Sequence, residues 1–162
     1  MNSNYLSPIG FKINVKRLPN VEFFTQKVII PGINTNAPEI PSPLTTLYST
    51  GDRLIYQELD LSFIVDENMS NYKECLNWME SLTSTEELAQ YSKLAKSDEG
   101  TVSDITITIL NSHKNANLQF TFLDCSPVSL TGVSLDTTQS DVFYPEASIT
   151  FRYDRFKFSN IG

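Results

Sequence analysis

From Leu54 to Val65 apolar and polar residues alternate with a period of two. The odd positions carry Ile55, Leu59, Leu61, Phe63 and Val65, broken only by Gln57, and the even positions include Tyr56, Glu58, Asp60 and Ser62. Successive side chains point to opposite sides only in an extended chain, so this stretch predicts a long strand with one face on a core. The same period recurs in Phe11, Ile13 and Val15, in Ile105, Ile107 and Ile109, and in Leu118, Phe120 and Phe122. Asn115-Ala116-Asn117 predicts a hairpin turn between the last two, because Asn tolerates positive φ. Val21 to Ile30, rich in β-branched and aromatic residues, predicts another strand. Ala147 to Phe158 predicts a final one, with Ile149, Phe151 and Tyr153 on one face. Ser, Thr and Asn make up 46 of the 162 residues and Ala only five, a balance that also disfavours helix.

One helix stands out. Met69, Tyr72, Leu76, Met79 and Leu82 recur at helical spacing and predict an apolar stripe on the core, with Trp78 off its centre. Asn68 or Ser70 is the expected cap, and Asp66 and Glu67 suit the positive end of the helix dipole. A weaker second helix is predicted over Glu86 to Ala95. The whole chain, 1–162, reads as one domain, with no linker and no internal repeat.

Two segments fit no regular element. Pro31 to Thr50 holds four prolines and ends at Gly51, which predicts an extended, polyproline-like arm over about residues 31–52. It is far longer than the usual connector, and long loops on small β domains often serve as interaction arms. Val128 to Pro145 reads as irregular or edge-like.

The charge balance excludes some partners. A net charge of −7 argues against wrapping nucleic acid, which needs clustered Lys and Arg. No apolar run approaches the roughly 20 residues of a membrane-spanning helix. The first eight residues lack a basic segment and an apolar core, so no signal peptide is expected, and a cytosolic setting with Cys75 and Cys125 reduced follows.

Candidate chemistry is sparse. The single histidine, His113, lies beside the predicted turn, and neither cysteine carries a catalytic signature. Ser70-Asn71-Tyr72-Lys73 matches S-x-x-K but lacks the companion S-D-N and K-T-G patterns. The run from Asp66 fails as a calcium loop, with Asn71 where Gly is needed and Asn77 where the bidentate Glu belongs. Asn68-Met69-Ser70 is a glycosylation sequon without a secretory route. Glu58 and Asp60 share a strand face, but no partner base is evident. The reading is a protein that is not an enzyme and has no cofactor and no metal site.

The order of features through the middle of the chain is more specific. Val21 to Ile30 leads into the Pro-rich arm, and Gly51-Asp52-Arg53 opens the long strand. That strand ends at Asp66-Glu67 and feeds a helix reaching Trp78. This order, with the alternating Ile149 to Asp154 strand, resembles the tail tube proteins of contractile-tailed bacteriophages. The resemblance implies a mainly β fold of two packed antiparallel sheets with one flanking α-helix. It implies homohexameric rings that stack into a tube and a channel that DNA crosses without specific binding. It also implies sheath, tape measure and baseplate hub proteins as partners, no membrane, and a virion component assembled in the host cytoplasm.

Within that frame Glu58, Asp60 and Ser62 are expected to face the channel, where acidic groups would repel phosphate. Pro31, Pro38, Pro41, Pro43, Gly51, Asp52 and Arg53 mark the arm expected to contact a neighbouring subunit or the next ring. Its prolines would lower the ordering cost of assembly. Two other readings stay open: a baseplate or tube-initiating ring protein with the same fold, and a monomeric β-sandwich binding module using Tyr48, Tyr56, Trp78 and Tyr144 as platforms.

Overall fold

The computed structural model describes residues 5–6, 8–83, 88–97 and 100–161. In chain order the elements are β1 (Phe11–Val15), α1 (Pro19–Phe24), β2 (Thr25–Ile29), β3 (Ile33–Thr35), β4 (Glu39–Ile40), β5 (Leu47–Tyr48), β6 (Leu54–Tyr56) and β7 (Leu59–Ile64). After these come α2 (Ser70–Thr83), α3 (Leu88–Ala95), β8 (Ser103–Leu110), β9 (Ala116–Leu130), β10 (Glu146–Arg152) and β11 (Arg155–Asn160).

The 15-residue β9 organises the rest. Its first half pairs with β8 and β11, and its second half, Ser126 to Leu130, pairs with β10. Between the halves Asp124 takes a φ of 54°. For a non-glycine residue this is an uncommon conformation, and it bends the strand. The partner chain breaks at the same level, between Arg152 and Arg155, where the Asp154 N–H donates to the Leu123 carbonyl at 3.1 Å. The antiparallel sheet therefore folds over at this bend. One half is β1-β8-β9-β11 and the other is β9-β10-β7-β2. Ile13, Val15, Ile105, Ile107 and Phe122 from the first half share a core with Leu59, Leu61, Phe63, Ile149 and Phe151 from the second. Each such side chain contributes about 1.5–3 kcal/mol by leaving water.

The mainly β architecture agrees with the alternation, but several boundaries move. The first part of the Val21–Ile30 segment is helix, because Pro19 sits at the start of α1 with its φ already helical and the Glu22 carboxylate accepts the Val15 N–H at 3.0 Å. The Leu54–Val65 strand is interrupted at Gln57-Glu58, and the Ala147–Phe158 strand at Tyr153-Asp154. The hairpin turn lies at Asn111–Asn115 instead of at 115–117. There the Asn111 carboxamide oxygen accepts the N–H groups of His113 and Asn115, and Lys114 takes the positive φ. The Val128–Pro145 segment is strand as far as Leu130 and irregular beyond.

Helix α2 covers the core with a different line of residues from the expected one. Asn71, Cys75 and Trp78 are buried, whereas Leu76 is 40% exposed. Tyr72, Leu82 and Met69 are partly buried against the core. Asn71 is fully enclosed because its carboxamide is satisfied: Nδ2 donates to the Ile64 carbonyl at 2.7 Å and Oδ1 accepts the Tyr72 N–H at 2.8 Å. Asp66, not Asn68 or Ser70, supplies the side-chain acceptor at the helix start, taking the Asn71 N–H at 3.2 Å. Trp78 stacks at 5.9 Å from Phe151, donates Nε1–H to the Thr101 carbonyl, and carries Arg17 over its ring. The second predicted helix is present as α3; Glu86 and Glu87 lie outside the described residues.

Candidate functional site: a polar sheet face and a projecting arm

The outer face of β7 and β10 is a ladder of polar pairs. In register, Ser62 lies opposite Ser148 and Asp60 opposite Thr150. The two serine hydroxyls bond at 2.8 Å, Thr150 Oγ1 donates to Asp60 Oδ1 at 2.7 Å, and Arg152 Nε donates to Glu58 Oε1 at 2.9 Å. Lys27 of β2 faces Ser62 from the other side. Of the three carboxylates on this face, Glu58, Asp60 and Glu146, the first is paired with Arg152 and the second accepts from Thr150. Alternation dictates this arrangement: with Leu59, Leu61 and Phe63 buried inward, Asp60 and Ser62 must point out. The three expected residues are therefore brought together, but as paired groups and not as bare acids.

Among the described residues both lateral edges of this half-sheet are open. Strand β2 ends the strand order, and Ser126–Leu130 pairs with β10 alone among the described residues. Unpaired edge N–H and C=O groups are templates for another strand.

The arm continues the β2–β7 ribbon. β3 pairs with β6 and β4 with β5, so the segment is an antiparallel hairpin and not a polyproline path. Bonds from Gln57 N to Gly32 O, Asn36 N to Arg53 O and Ser49 N to Pro38 O stitch it between the strand pairs. A two-stranded ribbon leaves every second backbone group facing solvent, which is why Pro38, Pro41 and Pro43 are tolerated. Between two of these bonds Thr50-Gly51-Asp52 stands against Ala37 alone, forming a bulge. A Cβ on Gly51 would overlap the Asn36 carbonyl, so only glycine fits. Pro31 is buried at the root, whereas Pro38, Pro41, Pro43, Asp52 and Arg53 are exposed. Ile33, Ile40, Leu44, Leu47, Tyr48 and Leu54 are exposed too, along a ribbon anchored at its root, where Tyr56 of β6 meets Tyr153 and Phe156.

The remaining candidates disperse. Cys75 and Cys125 are buried and free, and burial pushes each thiol up to about 12. His113 sits exposed in its turn, remote in sequence register from both. Of the possible aromatic platforms, Trp78 is buried and Tyr56 packs on Tyr153 and Phe156. Among the described residues no three His, Cys, Asp or Glu side chains gather as metal ligands, and no helix is long and apolar enough to cross a membrane. The aromatic signals pointed to packing: Tyr56, Phe120, Phe122, Tyr153 and Phe156 form one ring cluster at the bend.

Open strand edges, a self-satisfied polar face and a projecting apolar arm define the class of structural subunits that assemble with other protein. Residues 3–159 match the family model described as phage tail tube protein, and the chain belongs to that family. Its role is that of a structural tube subunit. A search of curated proteins gives no match. Among solved structures, the chain is similar to a chain in the cryo-EM structure of the anti-feeding prophage baseplate (14% identity, 99% of each chain covered, TM-score 0.67). It is similar to one in the sheath–tube complex of the PVC extracellular contractile injection system in the extended state (18% identity, 98% and 94% covered, TM-score 0.66). A chain of the anti-feeding prophage tube-terminating cap follows (17% identity, 99% and 94% covered, TM-score 0.65). At these identities the likeness is one of fold.

Proposed function

We propose that the whole chain, one domain with a hairpin arm, forms homohexameric rings in which the β9-β10-β7-β2 half-sheets of six copies line a channel, and that rings stack through the arms. The observation that carries this reading is the pair of open edges flanking a polar face. Joining β2 of one copy to Ser126–Leu130 of the next satisfies both edges and turns Glu58, Asp60 and Ser62 toward the lumen. A lumen of paired charges and hydroxyls offers no cluster of free cations to phosphate, so DNA passes without specific binding. The same ring geometry leaves the helices for a sheath, and the ends for tape measure and baseplate hub proteins. The setting is a phage tail built in the host cytoplasm, and the role requires no catalysis and no cofactor.

A second reading is a baseplate or tube-initiating ring, favoured by the likeness to a baseplate chain as much as to a tube chain. Such a ring should stop at one layer. Deleting Ala37 to Pro43 tests the arm: the account expects a folded subunit that does not stack, and normal tubes from the deletion would reject it.

A further inference from the structure

The β2-β7-β10 part of the sheet has two distinct ends. Ile29 lies opposite Asp60 and Leu59 opposite Phe151, so the arm departs from the end that holds Glu58 and Arg152. At the other end Ile64 lies opposite Glu146, and the Val65 N–H donates to the Pro145 carbonyl at 2.9 Å. Residues 131–145 close that end between β9 and β10. Both appendages expose large apolar side chains: Leu44 on the arm is 96% exposed, and Leu135 and Val142 on the loop are 83% and 85% exposed. Apolar surface concentrated in this way marks contact with another protein. The loop also holds a concavity of about 320 Å³, in which Leu135, Phe143 and Pro145 supply the apolar wall and Asp136, Asp141 and neighbouring hydroxyl and amide groups the polar one.

We infer that the 131–145 loop is the acceptor for the arm of a second copy, with Leu44 entering the concavity between Leu135 and Phe143. The inference rests on the stacked-ring reading and adds to it the surface that receives the arm. Donor and acceptor sit at opposite ends of one sheet, so an arm cannot serve its own loop. A contact of that kind between identical chains is head-to-tail, and because donor and acceptor lie at opposite ends of the strands it adds each copy along the strand direction, unlike the lateral edge contact that closes the ring. A second concavity, about 370 Å³ and more apolar, lies between Leu6, Phe11, Val28 and Ile30 and opens where the arm departs. A copy displaced along the arm presents its loop first. Thirteen residues from Pro31 to Pro43 span roughly 40 Å, against roughly 23 Å for the seven of β10, so the arm reaches past the sheet that carries it. The acceptor is preformed: Thr131 N–H donates to the Ser148 carbonyl, Ser148 N–H to Thr131 Oγ1, and Val133 packs on the core. One such contact is weak, but a ring makes several at once, and their combined strength holds a stack that single subunits do not form.

The test uses assembled wild-type-length protein carrying paired cysteines. Two cysteines bridge only when their Cα atoms come within about 7 Å. Leu44→Cys with Leu135→Cys, mildly oxidised, should give a ladder of covalent multimers on a non-reducing gel, while Leu44→Cys with Ile30→Cys should not. Native Cys75 and Cys125 are buried and stay silent. A ladder from the Ile30 pair and none from the Leu135 pair would overturn the acceptor assignment and leave stacking intact. Unmodified protein that never forms multi-ring particles would instead overturn the stacking reading beneath it. As an independent check, the exposed-site substitutions Leu135→Asp and Phe143→Asp should leave ring formation unchanged and raise the concentration needed for stacking about tenfold or more; an unchanged threshold would contradict the proposal.

Discussion

Thr150 Oγ1 donates to Asp60 Oδ1 at 2.7 Å between directly opposed positions of β7 and β10. With the Glu58–Arg152 pair one step along, it makes a polar face on which both of these carboxylates are engaged by groups of the neighbouring strand. A Glu58→Lys, Asp60→Lys double variant converts two acceptors into two cations and frees Arg152. Tubes of this variant should retain DNA that wild-type tubes release, and the retention should fall steeply with salt. The fold should survive, because exposed ion pairs are worth about 0–1 kcal/mol. Unchanged DNA retention would count against a lumenal position.

Gly51 is the most sensitive point of the arm. Gly51→Ala forces the returning strand away from the Asn36 carbonyl. The Asn36 and Ser49 amides, bonded to Arg53 and Pro38 across the bulge, should lose hydrogen-exchange protection while the β7 and β10 amides keep theirs. Stacking should weaken with it. Full protection at Asn36 in the variant would show that the backbone accommodates the methyl group.

Trp78 and Leu76 separate the true buried line of α2 from its apparent one. Trp78 is 3% exposed and touches Phe151, so Trp78→Ala should cost about 3–5 kcal/mol in denaturant unfolding. Leu76→Ala, on the exposed side, should cost under about 1 kcal/mol. Equal losses would contradict this placement of the helix.

The buried thiols set an alkaline limit. Cys75 and Cys125 are each pushed up to about 12, chiefly by burial, and burial likewise raises the Tyr153 hydroxyl to about 12. A raised folded-state value means that the native chain holds its proton where the unfolded chain has released it. These groups therefore cost no stability below about pH 8.5, the ordinary thiol value, and stability falls as pH rises from there toward about 12. At pH 8 a thiol reagent should label neither cysteine in the native protein and both in denaturant. Rapid native labelling would place a thiol at the surface.

Much of this was legible from alternation alone. Leu59, Leu61 and Phe63, and Ile105 and Ile107, point inward as their period demands. The bend was not legible, because Asp124 adopts its positive φ only where two half-sheets meet around Phe122 and Tyr153. The helical period of α2 was readable but its phase was not. The buried line runs Asn71, Cys75, Trp78, Leu82, and its first member looks polar until Ile64 and Asp66 are seen to satisfy it. Helix α1 was missed: Pro19 at its start was the one local signal for it, and the β propensity of Val21, Phe23 and Phe24 pointed to strand instead. The Glu58-Asp60-Ser62 face followed from parity, whereas its pairing to Arg152, Thr150 and Ser148 depends on a strand about 90 residues away, whose register no local pattern encodes.

Electron microscopy of the purified protein over a range of concentrations, beside the variant lacking Ala37 to Pro43, shows whether rings form and whether the arm stacks them. The intact chain should give stacked hollow rings and the deletion unstacked particles. Monomers from the intact chain at every concentration, or stacks that ignore the deletion, would contradict stacked rings joined by their arms.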